Sequence, residues 1–349
     1  MQIVGGRTRG LATDGPALHT TGLCGITLYE PGALTLVAGA GTPLAEISAA
    51  LSDEGQRLAF EPVDCRGLQG TSGEPTLGGA VATNASGPRR ITAGACRDFL
   101  LGVRFVDGSG TVLKNGGRVM KNVTGYDLVK LMAGSYGTLG ILTELSLKVL
   151  PTPETEATLC ACANDAVAAV KTMSAALSSP FEVSGAAYDP AAGLVYLRLE
   201  GFEASVAYRI GRLVERLSDC GDTDIKTGET SAVHWQEIRD VACFHDEPGD
   251  IWRLSVKPTD APEIAARAEA DGTLFDWGGG LIWLRVDSGT DLRSRLGSFS
   301  GHATLMRANA ETRAKFGMFH PEPAPLAAIS QGLRDKFDPR GVLNPGLMR

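Results

Sequence analysis

The chain has 349 residues, a formal net charge of −7 at pH 7, and 43% hydrophobic but only 6% aromatic side chains. That length supports two domains with cores of their own, and the acidic balance argues against a nucleic-acid phosphate backbone as partner. No apolar run approaches the ~18 residues that cross a bilayer, and Met-Gln-Ile-Val-Gly-Gly has no signal-peptide core, so a cytoplasmic protein is expected.

In chain order, Val4-Gly5-Gly6-Arg7-Thr8 is a first glycine loop. A helix follows from Thr42 to Gly55, with Thr42 as cap, Pro43 at the first helical position and Leu44, Ile47 and Leu51 on one face. Pro75 to Arg90 is a long glycine-rich segment. Leu101–Val106 and Thr111–Lys114 read as two strands joined by the turn Asp107-Gly108-Ser109-Gly110. Thr124 to Asp127 has capping-box spacing before an apolar stretch, and a third glycine cluster spans Gly134 to Ile141. The run 141–149 alternates as a half-buried strand.

Pro151 to Thr155 reads as a linker. Beyond it, 159–163 is a strand that places Cys160 and Cys162 on one buried face, 164–177 is a helix, 194–199 a strand, and Val206, Ile210, Leu213, Val214 and Leu217 mark an amphipathic helix. Trp235, Trp252, Trp277 and Trp283 are expected in cores or at a partner surface. His245-Asp246-Glu247 reads as a solvated loop. Seven cysteines lack a Cys-x-x-Cys pair and five histidines lack ligand spacing, so no metal site, iron–sulfur cluster or disulfide is expected in this chain. In the last twenty residues, apolar Phe337, Val342 and Leu343 argue that the Pro- and Gly-containing tail docks rather than frays.

Glycine leaves backbone amides uncovered and admits positive φ, so such loops can form anion-binding nests. Three of them suggest a long, charged, multi-part ligand gripped by main chain. Gly39-Ala40-Gly41 lacks the third glycine of a dinucleotide fingerprint, and there is no P-loop.

On Val4–Thr8, Pro75–Gly79, the run 121–127, Gly134–Gly140 and Asn344-Pro345-Gly346, the chain resembles the vanillyl-alcohol oxidase and p-cresol methylhydroxylase flavin superfamily. On Phe60-Glu61-Pro62, Ser86–Arg90, the run 119–123, Asp276–Gly279 and Gly301–Thr304 it is most similar to the FAD-binding E subunits of bacterial glycolate oxidases. The resemblance covers nearly the whole chain in order.

It implies an α+β fold: a two-subdomain FAD-binding domain over residues 1–152, a smaller α+β domain with an antiparallel sheet over 153–330, and a tail, 331–349, returning to the FAD domain. It further implies a cofactor site of Gly5, Gly6, Arg7, Thr8, Pro75, Thr76, Leu77, Gly78, Gly79, Gly87, Gly94, Gly137, Thr138, Leu139, Gly140, Ile141 and Asn344. The amides of Gly5–Thr8 and Thr76–Gly79 would meet the pyrophosphate. Relatives that bond flavin covalently carry histidine about where Arg7 stands, so FAD is expected to be non-covalent. The family usually has a strand and helix ahead of the first loop, and a βα unit is expected to be missing here.

The implied activity is that of a subunit of a glycolate oxidase complex, oxidising glycolate and potentially D-lactate, with electrons passing to a partner and not to NAD. The implied partners are a catalytic flavin subunit and an iron–sulfur subunit, with membrane contact only peripheral and through the complex. Oxidising a 2-hydroxy acid needs a cation for the carboxylate and a base for the hydroxyl. The catalytic sibling's His-x-Gly-Asp-Gly-Asn-x-His signature is absent, which leaves Arg253, His302 and Arg307 as polar candidates. A self-sufficient flavin oxidase and a scaffold without catalysis stay open as alternatives.

Overall fold

The computed structural model describes residues 1–11, 15–118, 125–218 and 223–348. Most of the motif at 119–127, including the expected cap Thr124, lies outside the described residues. The chain divides into two compact units. The first comprises residues 1–87, 94–152 and 321–349; the second comprises 88–93 and 153–320.

The first unit holds a five-stranded antiparallel sheet in the spatial order Ile26–Glu30, Thr35–Gly39, Ile141–Lys148, Leu100–Val106, Val112–Gly116. The alternation read at 141–149 is real: Leu145 and Leu147 are fully buried and pair with Ala38 and Leu36. The turn between the last two strands is pinned by Asp107, whose carboxylate accepts from the amides of Ser109 and Thr111. A short parallel pair, Gln2–Val4 with Ala17–His19, leads into the first glycine loop.

The helix expected from Thr42 runs over Leu44–Ser52, burying Ile47 and Leu51, and Thr42 does not cap it. Its hydroxyl instead donates to the Gly39 carbonyl at 2.7 Å and accepts from the Gly25 amide, tying the incoming strand to its neighbour. The tail docks. The Phe337 ring lies 6.1 Å from that of Phe105, and the Asp338 carboxylate accepts from the amides of Val342 and Leu343.

The second unit is built on an eight-stranded antiparallel sheet, in the spatial order Thr223–Thr227, Thr155–Cys162, Leu194–Gly201, Gly185–Asp189, Gly272–Asp276, Leu281–Val286, Asp250–Val256, Gly301–Arg307. One face packs helices Ala166–Leu177, Glu203–Arg216, Ala261–Ala268 and Leu292–Leu296 onto an aliphatic core that includes Trp252. Asp165, not Asn164, caps the first of these helices. On the opposite face, helix Gly228–Asp240 sets Trp235 against Cys160, Ala187 and Tyr196. Cys162 shares the face of Cys160 but is exposed, because the strand ends there. Trp283 is buried and Trp277 half-buried.

The Pro88–Ala93 segment is held on the second unit by ions in its interior. Arg89 makes a bidentate pair with Glu200 at 2.7–3.0 Å, and Glu156 lies 3.7 Å from the same guanidinium. The network continues through Ser231, which donates to Glu156, and Thr158, which accepts from the Trp235 indole at 2.7 Å.

Burial holds the imidazoles of His234, His302 and His320 below the usual histidine range, with nearby cations adding to the effect. The unfolded chain therefore binds more protons than the folded one as pH falls below about 6.5, and stability declines with it. His234 is packed 4.2 Å from the Tyr196 ring. His234→Gln is expected to reduce the fall in melting temperature between pH 7.5 and 5; an unchanged slope would remove His234 from this account.

Candidate functional site

The first and third glycine loops, the turn at Thr76 and the docked tail converge on one cleft in the first unit. It holds about 850 Å³ of atom-free space, counted out into the solvent at its open mouth. Gly5, Gly6, Arg7, Thr8, Thr76, Gly78, Gly79, Gly137, Gly140 and Asn344 line it. Pro75, Leu77, Thr138, Leu139 and Ile141 belong to the same loops but are not in the lining, nor are Gly87 and Gly94. The Gly87 amide is taken by the Phe60 carbonyl at 2.9 Å. Arg9, Thr20, Ala40, Thr83, Tyr136 and Leu142 also line the cleft. They carry no glycine signal and are brought there only by the path of the chain.

The loops do not contribute alike. The amides of Gly5, Gly6, Arg7 and Thr8 donate to no acceptor among the described residues. Four successive unclaimed donors at a cleft wall suit a diphosphate, which main-chain amides satisfy without burying long basic side chains. The Thr76–Gly79 stretch was expected to offer the same, and here the structure differs. It opens the helix Leu77–Ala82, and three of its amides are committed: Leu77 to Thr42 O at 2.9 Å, Gly78 to Ala40 O at 2.7 Å, Gly79 to Thr76 Oγ1 at 3.3 Å.

Gly79 serves by being small. Its φ is not in the left-handed region, and an added Cβ would meet only Thr76 Oγ1, 3.2 Å away, with nothing else within 4 Å. The side of the helix facing the cleft is thus a cradle that a larger side chain would fill. Gly6 is required for a different reason: a Cβ there would stand 1.6 Å from the Glu74 carbonyl oxygen, so the chain itself occupies that space.

Three non-glycine lining residues, Arg7, Tyr136 and Asn344, have φ of +57°, +52° and +43°. Left-handed backbone at such residues costs free energy and collects at binding sites. Asn344 offsets its share with three hydrogen bonds. Its side chain accepts from the Ile3 amide at 2.7 Å and donates to Tyr136 O at 2.8 Å, while its amide donates to Met1 O at 3.0 Å. One tail residue therefore ties the first strand to the third glycine loop. Arg9 is committed to Val63 O and Cys65 Sγ, whereas Arg7 is exposed and makes no ion pair among the described residues.

The three polar candidates lie in the second unit. Arg307 donates to the carbonyls of Phe244, His245 and Glu247 and so clamps a turn. Arg253 stacks its guanidinium carbon 5.0 Å from the Trp277 ring centre and 5.9 Å from that of Trp283. His302 sits on the neighbouring strand, paired with Ser255. No group of three or more metal-ligating side chains is assembled among the described residues.

Residues 2–116 match the model of a family described as an FAD binding domain. The glycolate oxidase subunit GlcE of Escherichia coli is 39% identical over 93% of this chain and 84% of its own. Over 28% of this chain, the sequence is 42% identical to the glycolate oxidase subunit GlcD of Bacillus subtilis, covering 21% of that protein. Over 23% it is 49% identical to a D-lactate dehydrogenase of Anaerostipes hadrus, covering 17% of it. Among solved structures, an alkyldihydroxyacetonephosphate synthase superposes with a TM-score of 0.67 at 16% identity, over 95% of this chain and 68% of that one, which is a likeness of fold.

Proposed function

Because the chain belongs to the family of the FAD-binding glycolate oxidase subunit GlcE, we propose that it works within a complex that oxidises glycolate, and D-lactate as a second substrate, together with a catalytic flavin subunit and an iron–sulfur subunit. It is an FAD-binding subunit of a hydroxy-acid oxidoreductase. The observation that carries this reading is the run of unclaimed amides at Gly5–Thr8 in the same cleft as the open cradle at Gly79.

Bound FAD supplies a two-electron acceptor for oxidation of the hydroxyl-bearing carbon. The residues of this chain hold and orient it. The Gly5–Thr8 amides would take the diphosphate with the Arg7 guanidinium beside them, and Tyr136, Gly137 and Asn344 would form the wall that fixes its depth. Electrons leave to a partner subunit rather than to NAD. No described helix is long and apolar enough to cross a membrane, so we assign any membrane contact of this cytoplasmic complex to its other subunits.

The purified chain is expected to be yellow, with about one FAD released wholly into the supernatant on acid precipitation. Alone it should oxidise glycolate negligibly, and co-expression with the two partner subunits should restore dichlorophenolindophenol reduction. A colourless chain that saturating FAD does not stabilise would overturn the cofactor assignment. Robust turnover by the isolated chain would overturn the division of labour.

A further inference from the structure

We infer that the helix Ala324–Phe337 is a docking element whose open apolar flank, carried by Leu326 and Ile329, seats in an aliphatic groove on another subunit of the complex. The occupant rests on the function proposed above; the open flank is a property of the fold.

Among the described residues of this 14-residue helix none is buried. It is held at its C-terminal end. There the Phe337 ring meets Phe105, the Phe337 carbonyl accepts from the Gly108 amide at 2.8 Å, and Arg334 donates to Met348 O at 2.7 Å. Leu333 and Phe337 are half-buried. Farther from this anchor, Leu326 is 54% and Ile329 62% exposed, and residues 321–326, which lead into the helix, are all exposed.

A helix this short is marginal in water by itself and draws its stability from packing an apolar face. Leu326, Ile329 and Leu333 stand at i, i+3 and i+7, the spacing by which a helix anchors in a groove. Phe337 continues the same stripe one turn on. The stripe thus begins against Phe105 and runs past what the first unit covers. Gln331 and Asp335, hydrogen-bonded to each other at 2.7 Å, take the opposite side of the helix, as on an amphipathic element. Pro321, Pro323 and Pro325 restrict the exposed lead, which lowers the ordering cost of binding.

Two considerations choose the occupant. The relative that matches most of this chain is named as a subunit, so a surface for another chain is called for. A second copy is the poorer fit. Face to face, a helix about 21 Å long and 10 Å wide offers roughly 200 Å², where a stable dimer takes about 800 Å² from each partner. A groove that closes around the sides of the helix gains area that a flat face does not.

The test is co-expression of the tagged, FAD-loaded chain with the two proposed partner subunits, measuring partner retained on the tag. The double variant Leu326→Glu, Ile329→Glu should retain at least tenfold less, with the FAD content and near-ultraviolet circular dichroism of the isolated chain unchanged. Ile329→Leu should match wild type. So should Val167→Glu, which places the same charge at an exposed position of the second unit. Amide hydrogen exchange over residues 324–333 should be fast in the isolated chain and slowed by assembly. Wild-type retention by the double variant, or exchange that assembly does not slow, overturns the docking helix while the complex stands. A wild type that holds FAD yet retains neither partner overturns the proposed complex and the site with it. A concentration-dependent dimer of the isolated chain that the double variant dissolves overturns the occupant and gives the flank to a second copy. Should the double variant lose its circular dichroism, the exchange measurement on wild type decides.

Discussion

Gly79→Val should abolish FAD binding while leaving the apoprotein folded. Gly79 is helical, so valine can adopt its backbone, and the new Cβ meets one hydroxyl oxygen at 3.2 Å. The fold therefore loses little beyond the modest helix preference of a β-branched residue. The cleft loses its cradle. Displacing a diphosphate from even two amides of the Gly5–Thr8 run costs about 1.5–3 kcal/mol per charge-assisted bond, or at least a hundredfold in affinity. Wild type at 100-fold excess of FAD over Kd should gain about 2.7 kcal/mol of stability, and the variant none. Lys171→Ala, at an exposed position of the helix Ala166–Leu177, is the matched control. Wild-type FAD affinity in Gly79→Val would place the diphosphate away from this helix.

Arg89→Met should destabilise the second unit strongly. The Arg89 and Glu200 side chains are 12% and 7% exposed, and removing one member of a buried pair leaves an uncompensated charge at about 3–5 kcal/mol. Glu200 keeps Arg198 at 3.7 Å, which puts the expected loss at the lower end of that range. Urea unfolding should show a lower midpoint, and adding Glu200→Gln should recover part of it, because the stranded charge is then gone. An unaltered midpoint in Arg89→Met would mean that the pair does not hold the segment.

Much of the site was legible because glycine is a local signal. Three loops short of side chains, in a fixed order, announce a ligand held by main chain, and the alternation at 141–149 reports its own buried face. What each glycine is for was not legible. Gly6 and Gly79 look alike in sequence, yet one is excluded from bearing a side chain by the Glu74 backbone and the other leaves room for the ligand. Thr42 reads as a helix cap because threonine is a favoured cap and proline a favoured first helical residue; its hydroxyl is instead used in the tertiary contact with Gly39 and Gly25.

The sequence by itself determined the family, the cofactor, the strand and helix texture of both halves and the docking of the tail, since these rest on periodicity, on backbone-permissive residues and on motifs contiguous in the chain. Only the tertiary structure decided that the Gly5–Thr8 amides are unclaimed while those of Leu77–Gly79 are spent within the fold. It also decided that residues 88–93 belong to the second unit, that Arg89 is an anchor, and that Arg90 meets Arg253 across Trp277. Most of those outcomes depend on which groups meet across tens to more than a hundred residues of chain. Pairing of that range has no period for a sequence to display, and is fixed only when the two buried surfaces close around it.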